Sequence, residues 1–268
     1  MTLQPGAEQL CEILIRAGQE IVMPAYARSV QTTRKPDGSI VTETDLACQS
    51  FIEQELLKID AEIGFLGEEM SESEQLACLQ RKQAAFWCLD PLDGTTNFAT
   101  TFPGFSISLA LIRNGQVELA CIHDPVRAET FSAQLGCGAF LNGKPIHCSG
   151  EQQLSNSVGF IDFKRLQKAT ASRFATEKIY RSQRNVGSCA LEWAWLAAGR
   201  GQFIIHGGEK LWDFAAGSLL ASEAGCSVGD FSGSALFPAL SLSSPILATC
   251  TPPIQEKLQQ QLSSEHTI

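Results

Sequence analysis

The stretch WCLDPLDGTTNF, residues 87–98, decides how the rest of the chain is read. It follows apolar Ala84, Ala85 and Phe86, so a buried strand is expected to end here. Its exit carries Asp90 and Asp93 around Pro91-Leu92, and the turn between them frees the carbonyl of Leu92. Carboxylate and carbonyl oxygens are the donors that Mg2+ or Mn2+ takes. Gly94-Thr95-Thr96 is expected to open a helical turn, whose backbone N–H groups and positive dipole end suit a phosphate. Metal and phosphate would then meet at one sheet edge. Asp-Pro-x-Asp-Gly is equally good turn material, and Asp and Thr are ordinary helix caps. On this stretch by itself a purely structural role stays open.

Two more stretches place acids at element ends. Gly67-Glu68-Glu69 closes a short apolar strand expected over 63–66, and Trp212-Asp213 opens a helix of small residues closed by Gly225. Each by itself reads as capping or solvation. Together with the two aspartates they give four carboxylates, Glu68, Asp90, Asp93 and Asp213, at strand or helix ends, where loops build sites.

Around these, Leu10, Leu14, Ala17 and Ile21 mark an amphipathic helix ending near Pro24. Residues 31–43 break the pattern, with Pro36-Asp37-Gly38 as turn chemistry beside Arg34 and Lys35. A second helix, striped by Cys48, Ile52, Leu56 and Ile59, is expected to start after Thr44-Asp45, with Asp45 as its N-cap. FSISLALIR, Asn114-Gly115 and QVELACIHD form a strong hairpin signal; ETFSAQL follows, and Asn142-Gly143 marks another tight turn. From about residue 155, strand (VGFID), helix (189–198), strand (QFIIH), helix (WDFAAGSLLASEAG) and strand (PILAT) precede a polar C-terminal helix. The expected organisation is an α+β half with an antiparallel sheet, residues 1–150, and an α/β half, residues 151–268, joined as one compact unit.

With 268 residues, 44% hydrophobic and 18% charged, the chain can bury a large core. A net charge of −9 argues against a nucleic-acid groove or an anionic membrane surface. It does not exclude an anionic substrate, since a bound metal inverts the local potential. The ten cysteines form no C-x-x-C and sit mostly in apolar runs, as expected of reduced, buried thiols in a cytoplasmic protein. MTLQPGAEQL has no signal-peptide pattern, and no apolar run reaches the roughly 18 residues of a membrane span.

Taken in order and spacing, Gly67-Glu68-Glu69, Asp90-Pro-Leu-Asp93-Gly-Thr95-Thr-Asn-Phe and Trp212-Asp-Phe-Ala-Ala-Gly217 with Glu223-Ala-Gly225 resemble the inositol monophosphatase family. That family belongs to the lithium-sensitive, magnesium-dependent phosphatases, and the resemblance runs over nearly the whole chain. It implies a layered α-β-α-β-α sandwich, antiparallel in its first sheet and mixed in its second, and a homodimer. Glu68, Asp90 and the Leu92 carbonyl would hold a first Mg2+, and Asp90, Asp93 and Asp213 a second. A weaker third ion would lie near Glu68 and the Arg34–Gly38 loop, which resembles the family's mobile loop. Mn2+ could substitute. Thr95 matches the threonine that orients the attacking water, and Asp45 the aspartate that bonds it. Gly94 and Thr95 N–H groups would hold the phosphate, with Asp93 and Asp213 also near the substrate.

The departures bear on substrate. Members specific for myo-inositol carry an acid seven positions before the Trp-Asp aspartate, where this chain has His206. Gly187-Ser188-Cys189 resembles the family's other substrate-contacting turn. His123, His147 and His266 show no ligand spacing, and Trp193 and Trp195 read as helix packing. The expected function is hydrolysis of a small phosphate ester, inositol 1-phosphate first. 3′-Phosphoadenosine 5′-phosphate, fructose 1,6-bisphosphate and histidinol phosphate are the rivals, and docking to a transcription complex is the non-catalytic one. Asp93→Asn is expected to cut turnover by orders of magnitude and to leave melting without Mg2+ unchanged or raised.

Overall fold

A computed structural model describes residues 6–26, 28, 31–35, 38–80, 85–238 and 241–263. The first half runs α1 (Ala7–Ala17), a π-helical turn, α2 (Met23–Tyr26), β1 (Thr32–Arg34), β2 (Ile40–Thr42), α3 (Glu43–Ile59), β3 (Gly64–Gly67), α4 (Glu72–Gln80), β4 (Ala85–Asp93) and α5 (Thr95–Ala99). Then follow β5 (Ser106–Arg113), β6 (Gln116–Asp124), β7 (Glu129–Gln134), β8 (Ala139–Leu141) and β9 (Lys144–Ile146). The remainder is β10 (Val158–Asp162), α6 (Lys168–Thr176), β11 (Ser182–Arg184), α7 (Cys189–Ala197), β12 (Phe203–Lys210), α8 (Leu211–Glu223), β13 (Ser227–Gly229), β14 (Ser243–Thr249) and α9 (Pro252–Ser263).

Strands β3 to β9 form a seven-stranded sheet in sequence order, and the others from β10 onward a five-stranded sheet in the order β11-β10-β12-β14-β13. The second sheet is mixed, as expected: β10 runs parallel to β11 and β12, and β14 antiparallel to β12 and β13. The first sheet departs from the antiparallel expectation at one edge. There β3 pairs parallel with β4, while β4 to β9 are antiparallel throughout.

Three apolar clusters fill the gaps of five layers. Leu10 and Leu14 of α1 and Ile52 and Leu56 of α3 pack on Trp87, Leu89, Leu109 and Leu111, one face of the large sheet. Trp193 and Leu196 of α7 and Phe214 and Leu220 of α8 fill the space between sheets, against Phe86, Cys88 and Ala110 on one side and Ile204, Ile246 and Ala248 on the other. Phe174 of α6 and Ile254 and Leu258 of α9 cover the outer face of the small sheet on Ile161, Phe203, Ile205 and Leu247. The result is the α-β-α-β-α sandwich. Because β4 is covered on both faces, it reads as a continuous apolar run rather than as an alternation.

Some expectations shift. Helix α3 begins at Glu43 with Thr42 as N-cap, so Asp45 is its third residue and not the cap. Residues 32–34 and 40–42 pair as a small antiparallel ladder, where only a break in pattern was expected. Pro36 and Asp37 of the expected turn, and Ala84 before β4, lie outside the described residues. No disulfide joins the ten cysteines, and Cys137 is exposed rather than buried. Among the described residues no helix is long and apolar enough to cross a membrane.

Candidate active site

The register of β4 explains how two aspartates three positions apart serve one site. In a regular strand such residues face opposite sides of the sheet. Here Asp90 pairs with Ser108 and Asp93 with Ser106, so β4 carries one extra residue between them, a bulge at Pro91-Leu92. Ser106 and Ser108 share a face, and so do the two aspartates. Phe86 and Cys88 show which face it is: the one towards α7 and α8. There α8 presents Asp213 in its first turn. Gly217 lets α8 approach α7, since a Cβ at that position would lie 2.3 Å from Trp193 Cβ.

Carboxylate oxygens of Asp90, Asp93 and Asp213 lie within 4.8 Å of one another. Asp90 Oδ1 accepts from Leu92 N (2.9 Å) and Asp213 Oδ2 from Lys210 N (3.3 Å). Burial and the charges of Glu68 and Asp93 raise the Asp90 and Asp213 carboxyls well above their ordinary range. Burial likewise pushes Asp93 up to about 6, against three bonds that favour its charge. Those bonds come from Ser188 Oγ, Ala190 N (2.8 Å) and Cys189 N (3.2 Å) at the start of α7. A packed, all-oxygen set of this kind suits a hard divalent cation such as Mg2+.

Glu68 does not join this trio. It is turned to Lys35, whose Nζ stands 3.0 Å from Glu68 Oε1 and 2.8 Å from Glu69 Oε1. Burial would lower the Lys35 ammonium, but the two glutamates outweigh it and hold it above its ordinary value. Burial also pushes the neighbouring Glu69 to about 7. A cavity of about 1050 Å3 opens beside this pair, lined by Lys35, Glu68, Lys210 and Trp212 among others.

On the other flank, Thr95 Oγ1 lies 3.0 Å from Asp45 Oδ1 and 3.1 Å from the Leu92 carbonyl oxygen. The second oxygen of Asp45 accepts from Thr42 N (2.8 Å) and Thr42 Oγ1, closing a capping box at the head of α3. Asp45 thus caps and bonds Thr95 at once, and burial raises its carboxyl. Gly94 sets the direction of α5: its φ is +92°, and a Cβ there would lie 2.9 Å from Gly104 O.

Gly187-Ser188-Cys189 reaches the site through Asp93, because the Ser188 hydroxyl and the Cys189 N–H are both given to that carboxylate. His206 is only 6% exposed, with Nε2 3.4 Å from Asp162 Oδ2 and Nδ1 accepting from Gly208 N (3.1 Å). Sequence reasoning missed Glu209 and Asn97. Glu209 is 1% exposed, and burial pushes it to about 8. Asn97 Nδ2 donates to Gly104 O (2.6 Å) and Val186 O (2.7 Å), tying the β4–α5 turn to the approach of α7. Glu209 follows a Gly-Gly pair past the apolar run QFIIH, where a strand reads as finished. Asn97 carried a usable cue, since it lies inside the quoted motif.

The family model for the inositol monophosphatase family matches residues 2–267. The chain belongs to the inositol monophosphatase family. It is 36% identical over 231 residues to a fructose-1,6-bisphosphatase/inositol-1-monophosphatase of Thermotoga maritima, covering 82% of this chain and 83% of that one. It is 37% identical over 211 residues to the Nus factor SuhB of Escherichia coli, covering 76% and 77%. A solved IMPase of Thermotoga maritima superposes with a TM-score of 0.84 at 32% identity, covering 95% of each chain. Family membership accounts for the order of the three acidic motifs, of which the second and third meet between the two sheets of one sandwich.

Proposed function

We propose that this member of the inositol monophosphatase family is a Mg2+-dependent phosphomonoesterase for a small soluble phosphate ester, with inositol 1-phosphate as first candidate. The observation that carries the reading is the closeness of the Asp90, Asp93 and Asp213 oxygens, within 4.8 Å, beside a Thr95–Asp45 hydrogen bond of 3.0 Å. Asp90, the Leu92 carbonyl and Glu68 would hold one cation, and Asp90, Asp93 and Asp213 a second. Glu68 must leave Lys35 to take part, and it would also serve a weaker third ion. Mg2+ so held lowers the pKa of water and neutralises the charge that develops on phosphate oxygens. Mn2+ is proposed as a substitute.

The chain's own groups do the positioning. Thr95 Oγ1 donates to Asp45 and keeps its lone pairs for a water molecule. As that water gives up a proton to Thr95, the Thr95 proton passes to Asp45 Oδ1. Burial makes Asp45 a stronger base than an exposed aspartate. Backbone N–H groups of Gly94 and Thr95 orient the phosphate at the head of α5. Gly187, Ser188, Cys189 and His206 stand on the side of the substrate's organic part, Ser188 and Cys189 by fixing Asp93. Residues 1–150 bring most of the ligands and residues 151–268 bring Asp213, so the site needs both halves in one unit.

A bisphosphate substrate is the second reading, favoured by the two lysines, Lys35 and Lys210, that line the 1050 Å3 cavity. A homodimer, a cytoplasmic location and inhibition by Li+ complete the proposal on family grounds. A docking role like that implied by the name of the Escherichia coli relative would not require the carboxylate trio and the Thr95–Asp45 pair. Phosphate release from inositol 1-phosphate, fructose 1,6-bisphosphate, phosphoadenosine phosphate and histidinol phosphate, with and without Mg2+ and Li+, tests the proposal. Mg2+-dependent, Li+-inhibited release, fastest from inositol 1-phosphate, is expected. Faster release from fructose 1,6-bisphosphate selects the second reading, and no release from any of the four overturns both.

A further inference from the structure

A second group of ligand-type side chains lies beside Asp93. The Sγ of Cys189, a ring nitrogen of His206 and a carboxylate oxygen of Glu209 are within 4.8 Å of one another. They converge for the same reason as the aspartates do. In β12, His206 pairs with Ile246 and Glu209 with Ser244, so β12 too holds one extra residue, a bulge at Gly207-Gly208. Both side chains therefore face the α7–α8 layer, as Ile204 and Ile246 do. Cys189 meets them from the first turn of α7.

Glu209 supplies the independent sign of a ligand. It is 1% exposed, and its Oε2 accepts from Trp193 Nε1 at 2.7 Å. Its Oε1 is buried and has no hydrogen-bond partner among the described residues. An unpartnered buried oxygen forfeits the hydrogen bonds it had in water, and calls for a cation or a donor. Asp162 Oδ2, 3.4 Å from His206 Nε2, is placed as carboxylates are that hold a metal-binding imidazole, leaving Nδ1 with the ring's lone pair. That lone pair takes one bond from Gly208 N, which a bound ion would replace.

We propose that Cys189, His206 and Glu209 form a second cation site, for a thiophilic or borderline divalent ion such as Zn2+. Sulfur, imidazole nitrogen and one carboxylate oxygen are a zinc donor set with a fourth position open, whereas Asp90, Asp93 and Asp213 offer oxygen only. The two sites are sorted by donor chemistry while sharing a boundary at Cys189, whose N–H holds Asp93. Under the phosphatase reading, and only there, an ion at this site occupies the side of the substrate's organic part. It then raises KM for the ester without weakening Mg2+.

Co2+, a spectroscopic stand-in for Zn2+, tests the site in the full chain with Mg2+ in excess. A thiolate-to-cobalt absorption band saturating at one ion per chain is expected. Cys189→Ser should abolish the band, and His206→Gln and Glu209→Gln should each weaken Co2+ at least about tenfold. Cys148→Ser, at a thiol close to Cys226 and Cys250, should leave it unchanged. Circular dichroism checks folding of each variant, and His206→Gln carries the test if Cys189→Ser does not fold. No band in the parent chain, a band that survives Cys189→Ser, or one lost in Cys148→Ser overturns the site. Loss of Mg2+ binding as Co2+ saturates overturns its separateness. The band is read without turnover, so an inactive enzyme would refute the phosphatase reading and leave this test intact.

Discussion

Thr95 Oγ1 stands 3.0 Å from Asp45 Oδ1, joining the first turn of α5 to the first turn of α3. The same carboxylate closes the capping box of α3 with Thr42, so the proposed base and the helix start are one structure. Thr95→Ala is expected to lower kcat by about 10²–10⁴, the usual worth of a positioned proton acceptor. Mg2+ affinity, measured by calorimetry, should stay unchanged. A parallel loss of Mg2+ affinity would move Thr95 from water positioning to cation binding.

Asp90 and Asp93 should respond differently to loss of charge. Asp90→Asn can keep the bond from Leu92 N while removing a buried, repelled charge, so melting in chelator should rise. Asp93 takes four donors on two oxygens, from Ser188 Oγ, Ser106 Oγ (3.4 Å), Ala190 N and Cys189 N, and an amide nitrogen must face one of the two backbone N–H groups. That conflict costs about 1–3 kcal/mol and offsets the relief of charge. Asp93→Asn should therefore melt below Asp90→Asn. Both should lose turnover by orders of magnitude.

The raised carboxyls make stability depend on pH in a definite direction. Between the ordinary aspartate range and about 6, folded Asp93 keeps a proton that the unfolded chain has released, and Asp90 and Asp213 shift the same way. Their contribution to stability is fully present below the unfolded pKa and is lost as pH rises through the folded values. Mg2+ binding releases these protons. The rise in Tm caused by Mg2+ should thus be smaller at about pH 5 than at about pH 7.5. Equal rises at both would refute the shifted carboxyls.

Lys35 competes with any cation for Glu68. Breaking this partly exposed ion pair should be worth up to about 1 kcal/mol, or about fivefold. Lys35→Met should accordingly tighten apparent Mg2+ binding by a few-fold. Weaker binding would give Lys35 a supporting rather than a competing role.

Much of this was legible because it rests on local chemistry. Asn114-Gly115 between β5 and β6, Gly225 after α8 and the apolar run of VGFID lie where the sequence pattern puts them. The acidic motifs were legible as candidates, since carboxylates at element ends are exposed in sequence. What stayed hidden depends on partners distant in the chain. Helix α4 buries little more than Gln75 and Cys78, so it shows no stripe. The β1–β2 ladder has mostly exposed residues, and the parallel β3–β4 pairing joins strands that no turn connects. Both bulges were invisible: one extra residue in β4 and one in β12 decide which side chains share a face, and neither follows from spacing. Glu209 was missed for this reason, and the Lys35 partner of Glu68, a residue the sequence sets beside Asp90 and the Leu92 carbonyl, was out of sight as well.

The proposed phosphatase depends on Asp90, Asp93 and Asp213 acting on a phosphate ester through a divalent cation. Phosphate release from inositol 1-phosphate, followed across a Mg2+ titration for the parent chain and for Asp213→Asn, tests it most directly. The geometry predicts no release in chelator, saturable activation by Mg2+ in the parent chain, and loss by orders of magnitude in a folded Asp213→Asn. Release in chelator at the Mg2+-saturated rate, or an Asp213→Asn variant that matches the parent, would contradict it.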